Sequence, residues 1–240
     1  MITDIRYSVV VFGQFEDMTP SIEIIKQFSD LMAKYKLESG VAIEAEITQQ
    51  GLRQFNGLRL SANDGSLLVE FKRESMEISC INADINVTDV CDYKTFQTFV
   101  DNVISRDVLK CKRFKRIGFI HHVIVEGIDH SEVSKRIVQI PIYNDLKMRD
   151  DWKIVWPAMT NLDDLTLINA HTTIQRGRRH IIRDSQKEKL DGIDLIVDIN
   201  TLKENTEYRY SHTNIKEMCE KLYNKESEVR ECITNIIIKE

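Results

Sequence analysis

Imidazole changes charge near neutral pH and is the commonest nitrogen ligand for metals, so the histidines come first. Two of the six stand together in Phe119-Ile120-His121-His122-Val123. The run Ile117 to Val125 reads as a strand, where consecutive side chains leave on opposite faces. The two imidazoles therefore diverge and cannot share one ion. One is expected to meet the core or a cross-strand partner, the other solvent. His171 and His180 differ, because a two-residue turn at Arg176-Gly177 would make them diagonal neighbours about 7–8 Å apart on one face. Asp194 and Asp198 share a face of the following strand. A two-histidine, one-carboxylate metal site would therefore use His171, His180 and Asp198. Each has a surface explanation as well, and no metal or other cofactor is expected.

Asp64, Glu70 and Lys72 resemble the Asp…Glu-x-Lys element with which metal-dependent nucleases hold a divalent ion and orient water. Asp64 is explained by the Asp64-Gly65 turn, however, and Glu70 and Lys72 share a strand face as an ion pair would. The five cysteines, Cys80, Cys91, Cys111, Cys219 and Cys232, are an odd number without a Cys-x-x-Cys knuckle. They read as free thiols of a reducing compartment. P-loop, dinucleotide-binding and nucleophile-elbow patterns are all missing, which removes support for those chemistries.

Two basic clusters could bind phosphate. Lys110, Lys112, Arg113, Lys115 and Arg116 surround Phe114, and Arg176, Arg178, Arg179 and Arg183 surround His180. If they converged, Lys112, Arg113, Arg176, Arg178, Arg179 and His180 would form a nucleic-acid or ligand surface with Phe114 as a stacking platform. The whole chain argues the other way. With 33 basic against 38 acidic residues its net charge is -5, whereas a backbone binder gains affinity from a basic excess.

These residues need elements to position them. Ser8 to Phe12 reads as a strand. Thr19-Pro20 then starts a helix whose stripe Ile24, Ile25, Phe28, Leu31, Met32 and Tyr35 ends before Gly40. Strands follow at Val41 to Ile47, on both sides of Ala62-Asn63-Asp64-Gly65-Ser66, and at Glu77 to Ile81. Asp92 caps a helix bearing Phe96, Phe99, Val100, Val103 and Ile104. The second half has the same style, with strands at Ile117 to Val125, Ile137 to Tyr143, Leu165 to Ile174, Arg178 to Arg183 and Ile193 to Ile199. A long helix capped at Thr213 closes the chain, its apolar stripe weakening at Glu226, where a bend near Asn224 is expected. The pattern predicts an α+β fold of two antiparallel sheets, each packed by helices. The predicted lobes are 1–110 and 111–240, closely packed into what could be one domain.

Several pieces resemble a sporadically distributed family of uncharacterised prokaryotic proteins of about this length. They are Ser61-Ala62-Asn63-Asp64-Gly65 at the hairpin, Tyr93-Lys94-Thr95-Phe96 on the helix, Arg116-Ile117-Gly118 on the next strand and Val197-Asp198-Ile199-Asn200 late in the chain. The chain departs from the family pattern where Phe119-Ile120-His121-His122 replaces an arginine-tyrosine pair and Asn200 replaces a second acid. The resemblance implies the architecture and, through the family's patchy distribution, a role in prokaryotic defence.

No apolar run approaches the roughly 18 residues of a membrane helix, and Met1 to Arg6 lacks the features of a secretory signal, so a cytoplasmic protein is expected. Trp152, Trp156 and Pro157, with Met148 and Met159, form an aromatic-rich segment suited to an interface. The expected function is a non-catalytic binding or assembly protein acting through a protein partner or as a homodimer. The alternative is a nucleic-acid- or nucleotide-binding enzyme using the basic hairpin at 176–183.

Overall fold

The β-branched run at Val9-Val10-Val11 lies inside a longer strand, β1 (Ile2–Gly13). Its neighbours in the chain are two short helices, α1 (Ile22–Gln27) and α2 (Ser29–Tyr35). The cap of α1 is Ser21 rather than Thr19, because Ser21 has extended dihedrals and its hydroxyl accepts the Ile24 N–H at 3.3 Å. Lys36, in the left-handed region at φ 53°, ends α2 before Gly40 is reached. The computed structural model describes residues 1–49, 51–82, 91–129, 132–133, 137, 152–163, 166–183, 186–202 and 207–238.

A meander follows: β2 (Leu37–Thr48), β3 (Gly51–Ala62), β4 (Leu67–Phe71) and β5 (Ser75–Ile81). The hairpin between β3 and β4 has the predicted chemistry. Asp64 Oδ1 accepts from the Ser66 amide at 2.9 Å, and Gly65 takes a positive φ of 76°. Helix α3 (Tyr93–Ile104) starts at Asp92, whose carboxylate accepts the Thr95 N–H at 2.7 Å, and it buries the predicted stripe. Beyond α4 (Asp107–Lys110) come β6 (Phe114–Glu126), β7 (Lys153–Asn161), β8 (Leu167–Arg183), β9 (Gln186–Thr201) and the 27-residue α5 (His212–Ile238).

The expectation of two sheets is wrong. The nine strands of the described residues form one antiparallel sheet in the order β2-β3-β4-β5-β1-β6-β9-β8-β7. The physical reason is the central ladder. Strands β1 and β6 open the two halves, and they pair with each other from Ile2↔Val125 to Gly13↔Phe114. Two separate sheets would leave both strands with a row of unpaired N–H and C=O groups; the ladder satisfies them. One core cluster accordingly draws on both halves, from Val9, Ile78 and Phe99 to Ile117, Val197 and Leu222.

Tyr7, Val9 and Val11 of β1, with Ile117, Phe119, His121 and Val123 of β6, face the layer of α3 and α5. The opposite face carries polar ladders. Arg6 pairs with Glu77, Ser8 donates to Glu77 at 3.0 Å, and Arg116 donates to Asn200 at 3.0 Å. A packed face and a polar face are what an antiparallel sheet tolerates.

Three local expectations also change. Arg176-Gly177 is no turn, since β8 pairs with β9 without interruption from Ile168↔Thr201 to Arg183↔Gln186. Helix α5 runs through Asn224 without a break and buries Glu226. Strand β7, unanticipated, occupies the segment where no periodicity was legible. It is exposed on both faces, so it has no apolar side to alternate. The strand expected at 137–143 lies outside the described residues except Ile137, which is helical. Among the described residues, no helix is long and apolar enough to cross a membrane.

Candidate functional site

The two adjacent histidines do diverge, but neither reaches solvent. His121 is 2% exposed and lies under α5. Its Nε2 is 3.0 Å from Asp4 Oδ1 on β1, and its Nδ1 is 3.1 Å from Glu226 Oε1 on α5. Tyr7 stacks on the imidazole with ring centres 4.3 Å apart. Arg230, one turn along α5, donates to Glu226 at 3.0 Å and to Ser227 Oγ at 3.0 Å. Three elements are thereby clasped through one imidazole.

The electrostatics follow from that geometry. Burial disfavours the imidazolium, but contacts with Asp4 and Glu226 outweigh it and hold the His121 pKa above its ordinary value. Burial likewise opposes ionisation of Asp4, and the His121 and Tyr7 hydrogen bonds overcome it, so the Asp4 pKa lies below the usual carboxylate value. Burial, reinforced by the Asp4 charge, pushes the Tyr7 phenol upward. A histidine acting on a substrate needs a ring nitrogen free to take or give a proton. Here Nε2 is held by Asp4 and Nδ1 is enclosed against Glu226, so neither is open to a substrate and the cluster reads as a clasp between elements.

On the polar face, His122 Nε2 is 3.1 Å from Asp194 Oδ1, and Arg179 donates to Asp194 Oδ2 at 2.7 Å. Asp194 is 1% exposed. It fits because Gly177, its neighbour on β8, has no side chain: a Cβ there would collide with the carboxylate. Gly177 is thus the space for a buried charge, which explains a glycine within a continuous strand.

The predicted metal set does not assemble. His171 sits directly opposite Asp198 across β8–β9, but His180 pairs with Lys189, nine residues along the strand and on the other face. Among the described residues, no group of three histidines, cysteines or carboxylates is placed to hold a metal ion. Burial raises the Asp198 pKa, against an Asn200 hydrogen bond at 3.1 Å. Asp64 serves its turn, and Glu70 pairs with Lys72 at 3.4 Å.

The basic clusters stay apart as well. Lys112 and Arg113 precede the first residue of β6, whereas Arg176 is level with Val125 near its end. At 3.3 Å per residue that offset is about 36 Å. Each cluster is also matched by carboxylates. Lys112 contacts Asp17 at 2.6 Å, Arg176 and Arg178 reach Asp191 at 3.3 and 3.5 Å, and Arg179 is committed to Asp194. Arg113 and His180 are exposed. Lys112 and Arg113 line an open depression of about 590 Å³ with Glu16, Asp17 and Tyr208.

Trp152 is buried and Trp156 is 53% exposed. Trp156 lies on β7, an outermost strand, with Val155 51% and Met159 68% exposed. Val155-Trp156-Pro157-Ala158-Met159 is exposed throughout and carries no charge. Pro157 is tolerated because an edge strand can turn a missing N–H outward. Met148 lies outside the described residues. At the other edge, β2 and β3 continue past the three-residue pairing with β4 as a two-stranded arm that exposes Ile43, Ile47 and Leu52.

Sequence reasoning missed Asp4, Glu226 and Arg230. The signal for Glu226 was the weakened stripe of the last helix, with Arg230 four residues on as an ion-pair partner. The motif pieces at Arg116-Ile117-Gly118 and Val197-Asp198-Ile199-Asn200 meet across β6–β9, where Arg116 donates to Asn200 and Asn200 to Asp198. No known protein-family model matches the chain, and no curated protein sequence matches it.

Proposed function

We propose that the protein is a non-catalytic binding and assembly protein of the cytoplasm that joins a second copy of itself through β7, an outermost strand among the described residues. The supporting observation is the uncharged, exposed edge strand at Val155 to Met159. A two-fold contact sets the strand against the same strand of its copy, residue i on j and j on i, so an edge of like charges would repel itself and an uncharged one would not. An unprotected apolar edge is otherwise an aggregation hazard that proteins usually blunt with charge. Trp156 is the natural anchor, since tryptophans dominate the energetics of interfaces. The family resemblance at Asp64-Gly65, Arg116-Ile117-Gly118 and Val197-Asp198-Ile199-Asn200 supports placing this assembly in a prokaryotic defence system.

Light scattering across a concentration series should give a particle of twice the 28.0 kDa chain mass. The double change Trp156→Lys and Met159→Lys should weaken that association at least about thirty-fold and leave the thermal midpoint of the monomer unchanged. A wild-type mass fixed at one chain up to the highest concentration would overturn the proposal. The alternative, a nucleic-acid enzyme on the basic hairpin, loses support because Arg176, Arg178 and Arg179 are matched by Asp191 and Asp194. Binding to RNA or DNA at low salt is expected to be absent. Salt-dependent binding that disappears in Arg178→Glu would restore that alternative.

A further inference from the structure

Five cysteines without a close pair in sequence gave no reason to expect a dithiol, yet the fold makes one. Cys80, near the end of β5, and Cys91, just ahead of the Asp92 cap of α3, line the same cavity of about 390 Å³ with Lys34, Tyr35, Asp64 and Thr95. Both are free thiols, 0% and 7% exposed. Asn82 holds them together. Its Oδ1 accepts the Cys91 amide at 2.8 Å and lies 3.6 Å from Cys80 Sγ, while its Nδ2 donates to the Cys91 carbonyl at 2.9 Å. We propose that Cys80 and Cys91 form a peroxide-reactive dithiol, with Cys91 the attacking and Cys80 the resolving sulfur, that closes to a disulfide tying β5 to the start of α3.

The two thiols are unequal in the required sense. The Cys80 thiol donates to Asn82 Oδ1 at 3.6 Å and the Cys91 thiol to the Asp92 carbonyl at 3.5 Å. Contact with Cys80 lowers the Cys91 pKa against the opposing effect of burial. The same contact, with burial, raises that of Cys80. The thiolate is the nucleophile, and Cys91 is the one with access, 7% exposed against 0% for Cys80, so Cys91 reacts first. Its sulfur attacks one oxygen of a hydroperoxide. An S–O bond forms, the O–O bond breaks, and the leaving oxygen takes a proton and departs as water or an alcohol. Cys91 is then a sulfenic acid. Cys80 loses its proton and attacks that sulfur. The S–S bond forms, the S–O bond breaks, and the hydroxyl leaves as water on gaining a proton. In sum, two thiols are oxidised by two electrons and one hydroperoxide is reduced.

The other cysteines supply internal controls. Cys111 and Cys232 are exposed, and Cys219 is buried with its pKa pushed up to about 12 by burial. The test is treatment of the full chain with limiting hydrogen peroxide, followed by alkylation and peptide mapping. A Cys80–Cys91 cross-link is expected at least roughly ten-fold faster than modification of Cys219. In Cys80→Ser the reaction should stop at Cys91 sulfenic acid, captured by a dimedone-type probe. In Cys91→Ser, Cys80 should stay reduced. Circular dichroism of both variants, in which serine replaces a thiol of similar size, reports whether they fold. Oxidation confined to Cys111 and Cys232, or a folded Cys80→Ser that gives no sulfenic acid at Cys91, would overturn the assignment.

Discussion

Replacing Glu226 with alanine is expected to destabilise the protein by about 3–5 kcal/mol, the cost of removing one partner from a buried ion pair. For a chain of this length, that is a fall in thermal midpoint of roughly 6–20 °C. The magnitude rests on burial. Glu226 is 0% and His121 2% exposed, so water cannot replace the lost carboxylate, and Arg230 Nε loses its acceptor as well. Glu226→Gln keeps the shape and removes the charge, so it separates packing from electrostatics. The pH dependence supplies a second readout. The His121 pKa is raised on folding, so its contribution is complete below about 6.5 and is lost as pH rises through the higher folded value. The Asp4 pKa is lowered, so its contribution is complete above about 3.9 and is lost as pH falls through the lower folded value. Together they hold the clasp at full strength between these limits. Urea unfolding followed from pH 4.5 to 9 should show stability declining through the alkaline half of that range. Glu226→Gln should flatten the decline, and an unchanged pH slope in this variant would show that the Glu226 charge does not hold the His121 pKa up.

Glu226 also shows where the sequence was legible and where it was not. Local signals carried their elements. The Asp64-Gly65 turn, the Asp92 cap and the stripe Phe96, Phe99, Val100, Val103 and Ile104 depend on neighbours within a few residues, and the structure has all three. The period-two rule separated His121 from His122, because alternation along a strand needs no knowledge of its partners. Pairing is another matter. The β1–β6 ladder joins residues more than a hundred positions apart, and nothing in either run names the other as its partner. One sheet was therefore read as two. Buried charge misled in the same way. Glu226 looked like a fault in an apolar stripe, and Gly177 looked like a turn. Each departs from local pattern because a distant side chain, His121 for one and Asp194 for the other, requires it. Positions where local rules fail are where the polar clusters of this fold are built.

That dependence makes Gly177 and Asp194 a pair whose effects should not add. Gly177→Ala places a Cβ against the Asp194 carboxylate and 3.1 Å from its backbone nitrogen. The carboxylate has nowhere cheap to go, because His122 at 3.1 Å and Arg179 at 2.7 Å fix it on the other side. Overpacking of this kind costs roughly 1–3 kcal/mol. Asp194→Ala removes the carboxylate, leaves Arg179 without its acceptor and takes away the group against His122. Arg179 is 36% exposed and can turn toward water, so the expected cost is about 2–3 kcal/mol, below that at Glu226. In the double variant the added methyl occupies the space the carboxylate has vacated, and most of the Gly177→Ala penalty should vanish. A double-mutant cycle from urea unfolding should then give a coupling energy of about 1–2 kcal/mol. Simple additivity would mean that the strain at Gly177 comes from the β8 and β9 backbones alone. The glycine would then have to be explained by strand curvature, with no role in seating a buried charge.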